Sequence, residues 1–187
     1  DSQPVPIWNR LQSTVANLSP AYFAMVMATG IVSIACHLVG FRFIDHILLW
    51  LNVVFYAVLW GFTIARVLFY PKRILSDLGE HSVGVGFFTI IAATCVLGSQ
   101  CILLKQAYML SSVLLAVGAF LWVVIIYSVF TAFTIRYQKP PLGKGINGVW
   151  LVAVVATQSI SILSTLVSSG TVLYREVLLF VSMCLFL

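Results

Sequence analysis

The sequence predicts an all-α integral membrane protein, because it has too little charge for a globular surface and several apolar segments of membrane-spanning length. Charged residues make up 8% of the 187-residue chain and hydrophobic residues 61%, whereas soluble domains carry about 25% charged residues. A helix needs about 20 apolar residues to cross about 30 Å of hydrocarbon. Lipid is therefore expected to be the solvent for most of the chain.

Five complete apolar segments are long enough to cross a bilayer, and a sixth begins close to the last residue. The complete spans are predicted at 21–39, 47–65, 82–104, 107–135 and 148–167, and an incomplete sixth span at 177–187. We interpret residues 1–187 as a single transmembrane domain that forms the N-terminal part of a longer membrane protein.

The basic residues predict the orientation of these helices. If the helices alternate in direction, one membrane face receives seven Lys and Arg residues, and the other receives three: Arg10, Arg66, Lys72, Arg73, Arg136, Lys139 and Lys144 against Arg42, Lys105 and Arg175. The face with seven is expected to be cytoplasmic, since basic residues accumulate in cytoplasmic loops. We therefore expect a multi-pass protein of the plasma or inner membrane with a cytoplasmic N-terminus. Short loops do not gather charge into a basic face for nucleic acid, which excludes that partner.

The odd- and even-numbered spans differ in the size of their residues. The second and fourth carry bulky aromatic side chains suited to lipid and its interfaces, among them Trp50 and Trp122. The first, third and fifth carry small and hydroxyl-bearing residues at helical spacing, such as Thr29 and Ser33. This alternation predicts inner odd helices and outer even helices. The stripes themselves fit either close helix packing or the wall of a water-filled path.

Asp, Glu, Lys and Arg are absent from the middle of every complete span. The candidates at the span edges are Asp45, His46, Glu80 and His81, and His37 lies near the end of the first span. An imidazole at a helix end is commonly structural, and His37 and His81 are kept as candidate proton relays. The sequence contains no HExxH, no GxSxG and no intramembrane Asp pair. It therefore predicts no enzyme, no metal site and no cofactor.

Three segments resemble the first, third and fifth helices of the tellurite-resistance/dicarboxylate transporter family: SPAYFAMVMATGIVS (19–33), LGEHSVGVGFFTIIAATCVLGSQ (78–100) and INGVWLVAVVATQSIS (146–161). Relatives in that family include malate permeases, sulfite efflux pumps and the slow anion channel of plant guard cells. The resemblance covers about the first half of a family member. It implies ten helices arranged as helical hairpins around a central pore, with odd helices inner and even helices outer. It also implies a homotrimer.

The stripes and the resemblance together predict transport of a small anion through an uncharged pore, by a channel-like or a carrier mechanism. The substrate is expected to be tellurite, sulfite, a dicarboxylate such as malate, or an inorganic anion; the expected partners are this anion, membrane lipid and two further copies of the chain. The predicted pore-lining residues are Thr29, Gly30, Ser33, Gly86, Phe87, Phe88, Thr89, Ala93, Thr157 and Ser161. The alternative is a membrane enzyme, or a sensory or structural membrane module, whose functional residues lie beyond Leu187.

Overall fold

The computed structural model of the chain describes residues 18–78, 80, 83–135, 148–170 and 175–187. Their regular structure is helical throughout, without a strand in the described ranges. The α-helices are α1 (Phe23–Val39), α2 (Arg42–Phe69), α3 (Pro71–Leu78), α4 (Phe88–Lys105), α5 (Tyr108–Ile135), α6 (Leu151–Ser168) and α7 (Arg175–Phe186).

Five helical segments are long and apolar enough to cross a membrane, which confirms the predicted all-α membrane class. They are Pro20–Val39, Arg42–Phe69, Gly84–Lys105, Tyr108–Ile135 and Leu151–Ser168, and each overlaps one predicted complete span. The largest difference is in α2, which extends beyond the predicted span at both ends. The apolar run ends at the charged residues in the first and last turns of α2, whereas the backbone hydrogen bonds of the helix continue through both turns.

A repeated backbone pattern surrounds α1 and α4. Each is preceded by a short 3-10 turn, Pro20–Tyr22 before α1 and Gly84–Phe87 before α4. Each ends in a residue with left-handed backbone, Gly40 at φ 94° and Gln106 at φ 53°. This conformation ends a helix and turns the chain sharply, so that the next long helix begins within two residues. The same pattern begins again at the 3-10 turn Gly148–Trp150 before α6.

Helix α4 lies at the centre of the described structure and packs against α1, α2, α5 and α6. In their most apolar windows, 83% of α4 is buried and 44% of α6, against 17% for each of α2 and α5. Helix α1 is 22% buried, and part of its uncovered surface lines an open groove described below. Small residues allow the close approach around α4: a Cβ added at Gly98 would lie 2.8 Å from Leu163 Cδ2, and one at Gly118 would lie 2.8 Å from Cys95 Sγ.

Helix α3 is an eight-residue segment that lies between the second and third predicted spans. It begins at a proline, which suits the first turn of a helix, and turns Ile74 and Leu78 toward the hydrophobic core. It is too short to cross a bilayer. An ion pair fastens it to the end of α2, where Arg66 Nη2 lies 2.5 Å from Asp77 Oδ2.

We expect Arg66→Met to lower the free energy of unfolding by about 1–2 kcal/mol. The ion pair is more buried than a surface salt bridge, which contributes little, and less buried than a salt bridge in a protein interior, whose disruption costs more. The side chain of Arg66 is 7% exposed and that of Asp77 is 23% exposed. The measurement is unfolding of the full-length protein in detergent, with Lys72→Met as the control because Lys72 is an exposed cation next to α3's first residue. Equal effects of the two substitutions would contradict a specific role for the ion pair.

Candidate pore-lining face

An open groove of about 290 Å³ runs between α1, α4 and α6. It lies on the side of the described structure where three of the predicted inner helices leave their surfaces uncovered. The residues that line it are Met27, Ile31, Ile34, Val96, Ser99, Val154, Val155, Gln158, Ser159 and Ile162. We call this surface the groove.

The polar side chains of the groove already donate to backbone carbonyl groups. Ser99 Oγ donates to the Cys95 carbonyl oxygen at 3.0 Å, and Ser159 Oγ to that of Ala156 at 2.8 Å. Gln158 Nε2 donates to the Phe186 carbonyl oxygen at 3.1 Å. The remaining lining side chains are apolar. The exposed surface of the groove is therefore almost entirely apolar, without a strong ligand for an anion among its residues.

The hydroxyl groups predicted to line a pore lie at contacts between helices and turns. Ser33 Oγ donates to the Asp45 carbonyl oxygen on α2 at 2.9 Å. Thr89 Oγ1 lies 2.7 Å from the Pro20 carbonyl oxygen and 2.6 Å from that of Gly86, so its one proton is shared between them.

On α6, both predicted hydroxyl groups face a neighbouring helix. Trp122 Nε1 donates to Thr157 Oγ1 at 3.0 Å. Ser161 Oγ donates to the Ser182 carbonyl oxygen at 2.8 Å, and Ser182 Oγ returns a bond to the Ser161 carbonyl oxygen at 3.0 Å. These bonds join α6 to α5 and to α7. Thr29, on α1, is half-buried.

The predicted small and aromatic residues are also mostly buried. Ala93 is fully buried, and Phe87 and Phe88 are 8% and 1% exposed. A Cβ on Gly86 would lie 3.6 Å from Ala21 N, in ordinary contact with the turn that precedes α1. Gly30 lies where α1 crosses α2 and α4, as its neighbours Asn52 and Val96 show. The pore-lining role of all ten residues concerns a complete channel and stays a prediction.

Of the two candidate proton relays, His37 and His81, the structure describes His37. His37 contacts Asp45, with Nδ1 2.7 Å from Oδ2, and His46 Nδ1 lies 2.6 Å from Oδ1 of the same carboxylate. The structure thus joins His37 to two of the other edge residues. His81 lies outside the described residues.

Sequence reasoning missed a buried amide pair inside the membrane. Asn52 Nδ2 on α2 donates to Gln100 Oε1 on α4 at 2.9 Å, and both residues are fully buried. Asn52 Oδ1 and Gln100 Nε2 have no protein partner. One turn further along α2, Tyr56 Oη lies 3.0 Å from Thr94 Oγ1. The available signal was the spacing of Asp45, Asn52 and Tyr56, which places them on one face of α2.

Comparison with known proteins identifies a family and a relative of the chain. The family model described as "Voltage-dependent anion channel" (SLAC1) matches residues 17–187. The chain is 28% identical over 150 residues to the "Uncharacterized transporter MJ0762" of Methanocaldococcus jannaschii, an alignment that covers 71% of this chain and 44% of the relative. The chain thus spans less than half the length of the relative. No solved structure matches the chain significantly.

Proposed function

The chain belongs to the voltage-dependent anion channel family, and we propose that the full-length protein moves small anions across the membrane through a path of which the groove is one wall. The observation that carries this proposal is the groove itself, an open, uncharged and mostly apolar surface shared by α1, α4 and α6. In our proposal these three helices are inner helices of a ten-helix bundle of hairpins. The bundle assembles as a homotrimer in the plasma or inner membrane with a cytoplasmic N-terminus.

A wall without a charged side chain suits conduction. A buried cation in the path would hold an anion strongly and slow its release, whereas weak contacts at several points allow it to leave. The predicted pore residues then have two roles. The hydroxyl groups of Ser33, Thr89 and Ser161 do not line the groove; they stabilise the packing of its helices through hydrogen bonds to backbone carbonyl groups of neighbouring elements. Gly30 lets α1 and α4 approach each other closely where they cross.

Tellurite, sulfite, malate and inorganic anions are the proposed substrate classes. An uncharged path distinguishes them by size and by the cost of removing water, rather than by a fixed charge. A path that conducts along the anion gradient alone is a channel. A dependence on an imposed pH gradient would make the protein a proton-coupled carrier.

We expect Val155→Trp to reduce anion flux at least tenfold, because an indole placed in the groove narrows the path. The measurement is uptake of chloride, nitrate, sulfite and malate by liposomes that contain the full-length protein. Val124→Trp is the matched control: Val124 lies on α5 with 43% of its surface exposed, against 42% for Val155, and it does not line the groove.

The control variant is expected to stay within about twofold of the unmodified protein. Equal loss of flux in both variants would remove the groove from the path. Absence of flux for every anion in the unmodified protein would overturn the transport proposal and favour an enzyme or a sensory module.

A further inference from the structure

A cluster of one aspartate and two histidines lies where α1 ends and α2 begins, and the anion path proposed above does not use it. Asp45 is in the first turn of α2, and its side chain is completely inaccessible to solvent. Each of its carboxylate oxygens contacts a different imidazole: Oδ2 lies 2.7 Å from His37 Nδ1 and Oδ1 lies 2.6 Å from His46 Nδ1. The two imidazoles thus occupy both oxygens of one buried carboxylate.

The hydrogen-bond chemistry of the cluster assigns the proton positions. An ionised carboxylate can only accept hydrogen bonds, so both Nδ1 atoms donate. Each neutral ring then keeps its lone pair on Nε2, the atom that binds a second proton. The side chains of His37 and His46 are 28% and 47% exposed, which gives water access to the rings. With neutral rings the cluster has a charge of −1, and with two protonated rings a charge of +1.

The residues packed around this cluster fix the position of Asp45, and the layer beneath its carboxylate is apolar. Ser33 Oγ donates to the Asp45 carbonyl oxygen at 2.9 Å, which ties α1 to the first turn of α2. One turn further along α2, Leu49 packs against Leu97 and Cys101 of α4, an apolar layer below the carboxylate.

Among the described residues, other ionisable groups lie near these helix ends. Arg42 is the exposed first residue of α2, and Lys105 is the exposed last residue of α4. Arg and Lys side chains ordinarily carry a positive charge at neutral pH. The half-buried Cys36 precedes His37 in the chain, and a thiol ordinarily titrates above this range. Histidine is the side chain whose charge ordinarily changes between about pH 5 and 8.

We propose that His37, Asp45 and His46 form a proton-binding site that makes anion flux depend on the pH at the membrane face of the α1–α2 turn. Proton uptake removes a negative charge there and then adds a positive one, which raises the local anion concentration. Flux therefore rises as pH falls. The flux consequence rests on the proposed function, whereas proton binding itself does not.

Proton binding is tested by NMR titration of ¹³C-labelled histidine in the purified full-length protein. The variant is His37→Asn/His46→Asn, because an Asn amide can keep the hydrogen bond made by Nδ1 and cannot bind the second proton. We expect resonances that shift between pH 8 and 5 in two coupled steps and that are absent from the double variant. Rings that stay neutral down to pH 5 would show a purely structural cluster and overturn the proposal.

The flux consequence is tested with nitrate, an anion that stays ionised throughout this range, in liposomes whose inner and outer pH are set separately. Lowering the pH from 8 to 5.5 at the face of the α1–α2 turn is expected to raise nitrate flux about twofold to fourfold. His46→Asn should reduce this response, and the double variant should abolish it.

Two flux results would overturn the assignment: an unchanged response in the double variant, or a response removed only by His81→Asn. If the unmodified protein carries no nitrate at any pH, the proposed function fails and the histidine titration still decides the proton site.

Discussion

Replacing Asn52 by Leu is expected to lower the free energy of unfolding by about 1–3 kcal/mol, because it leaves a buried amide without a partner inside the membrane. Asn52 Nδ2 donates to Gln100 Oε1 at 2.9 Å, and Gln100 Nε2 already has no protein partner. Gln100 is fully buried. In hydrocarbon no water can replace the lost bond, so the variant protein contains an amide that cannot satisfy either of its polar atoms.

The double variant Asn52→Leu/Gln100→Leu should recover most of this loss. Replacing both partners by apolar groups removes the unpaired atoms, which is often close to neutral. We expect the double-mutant cycle to give a coupling energy of roughly 1 kcal/mol, because such cycles between membrane helices average about 0.6 kcal/mol and reach about 1.7 kcal/mol. The measurement is unfolding of the full-length protein and its three variants by SDS. Additive losses in the double variant would show that the two side chains act independently.

The membrane spans could be predicted from the sequence because bilayer thickness fixes their length. All five predicted complete spans overlap helices of sufficient length and apolarity. Helix α3 could not be predicted on this basis: its eight residues include Lys72, Arg73 and Asp77, and its position depends on the contact with Arg66. A tertiary ion pair of this kind leaves no periodic signal in the sequence.

The aromatic residues of α2 made its polar face difficult to recognise in the sequence. Large side chains such as Trp50 and Phe55 gave this span the composition of a lipid-facing helix. The same helix carries Asp45, Asn52 and Arg66 on a buried face. Spacings of seven residues from Asp45 to Asn52 and of fourteen from Asn52 to Arg66 were visible in the sequence, and they indicate one side of a helix.

The stripes of small residues could be found from the sequence, whereas their surroundings could not. Spacing alone places Thr29 and Ser33 on one side of α1. The partner of Ser33 is a carbonyl group twelve residues away, on the next helix. Whether a hydroxyl lines a path or joins two helices depends on such long-range contacts. The histidine cluster shows the same limit, because only the α1–α2 turn brings His37 to Asp45.

Replacing Gly30 by Ala is expected to lower the free energy of unfolding by about 2–3 kcal/mol, through overpacking where α1 crosses α4. The added Cβ would lie 2.6 Å from Val96 Cγ1 and 3.0 Å from Asn52 Nδ2. Val96 cannot easily rotate away, since a β-branched side chain in a helix has one strongly preferred rotamer. Relief therefore requires α1 to move, and that movement disturbs both the Asn52–Gln100 bond and the groove.

Gly61→Ala is the matched control, because Gly61 lies in α2 and an added Cβ there meets no atom within 4 Å. Alanine favours the helix over glycine by about 0.5–1 kcal/mol, so the control should be unchanged or slightly more stable. Val96→Ala removes the methyl group that the new Cβ would meet, and Gly30→Ala/Val96→Ala should be more stable than Gly30→Ala alone. If the double variant loses the sum of the two single losses, the crossing of α1 and α4 is not held by this contact. A recovery of stability in the double variant would instead establish that the small residue at position 30 sets the separation of α1 and α4, the two helices that form one side of the groove.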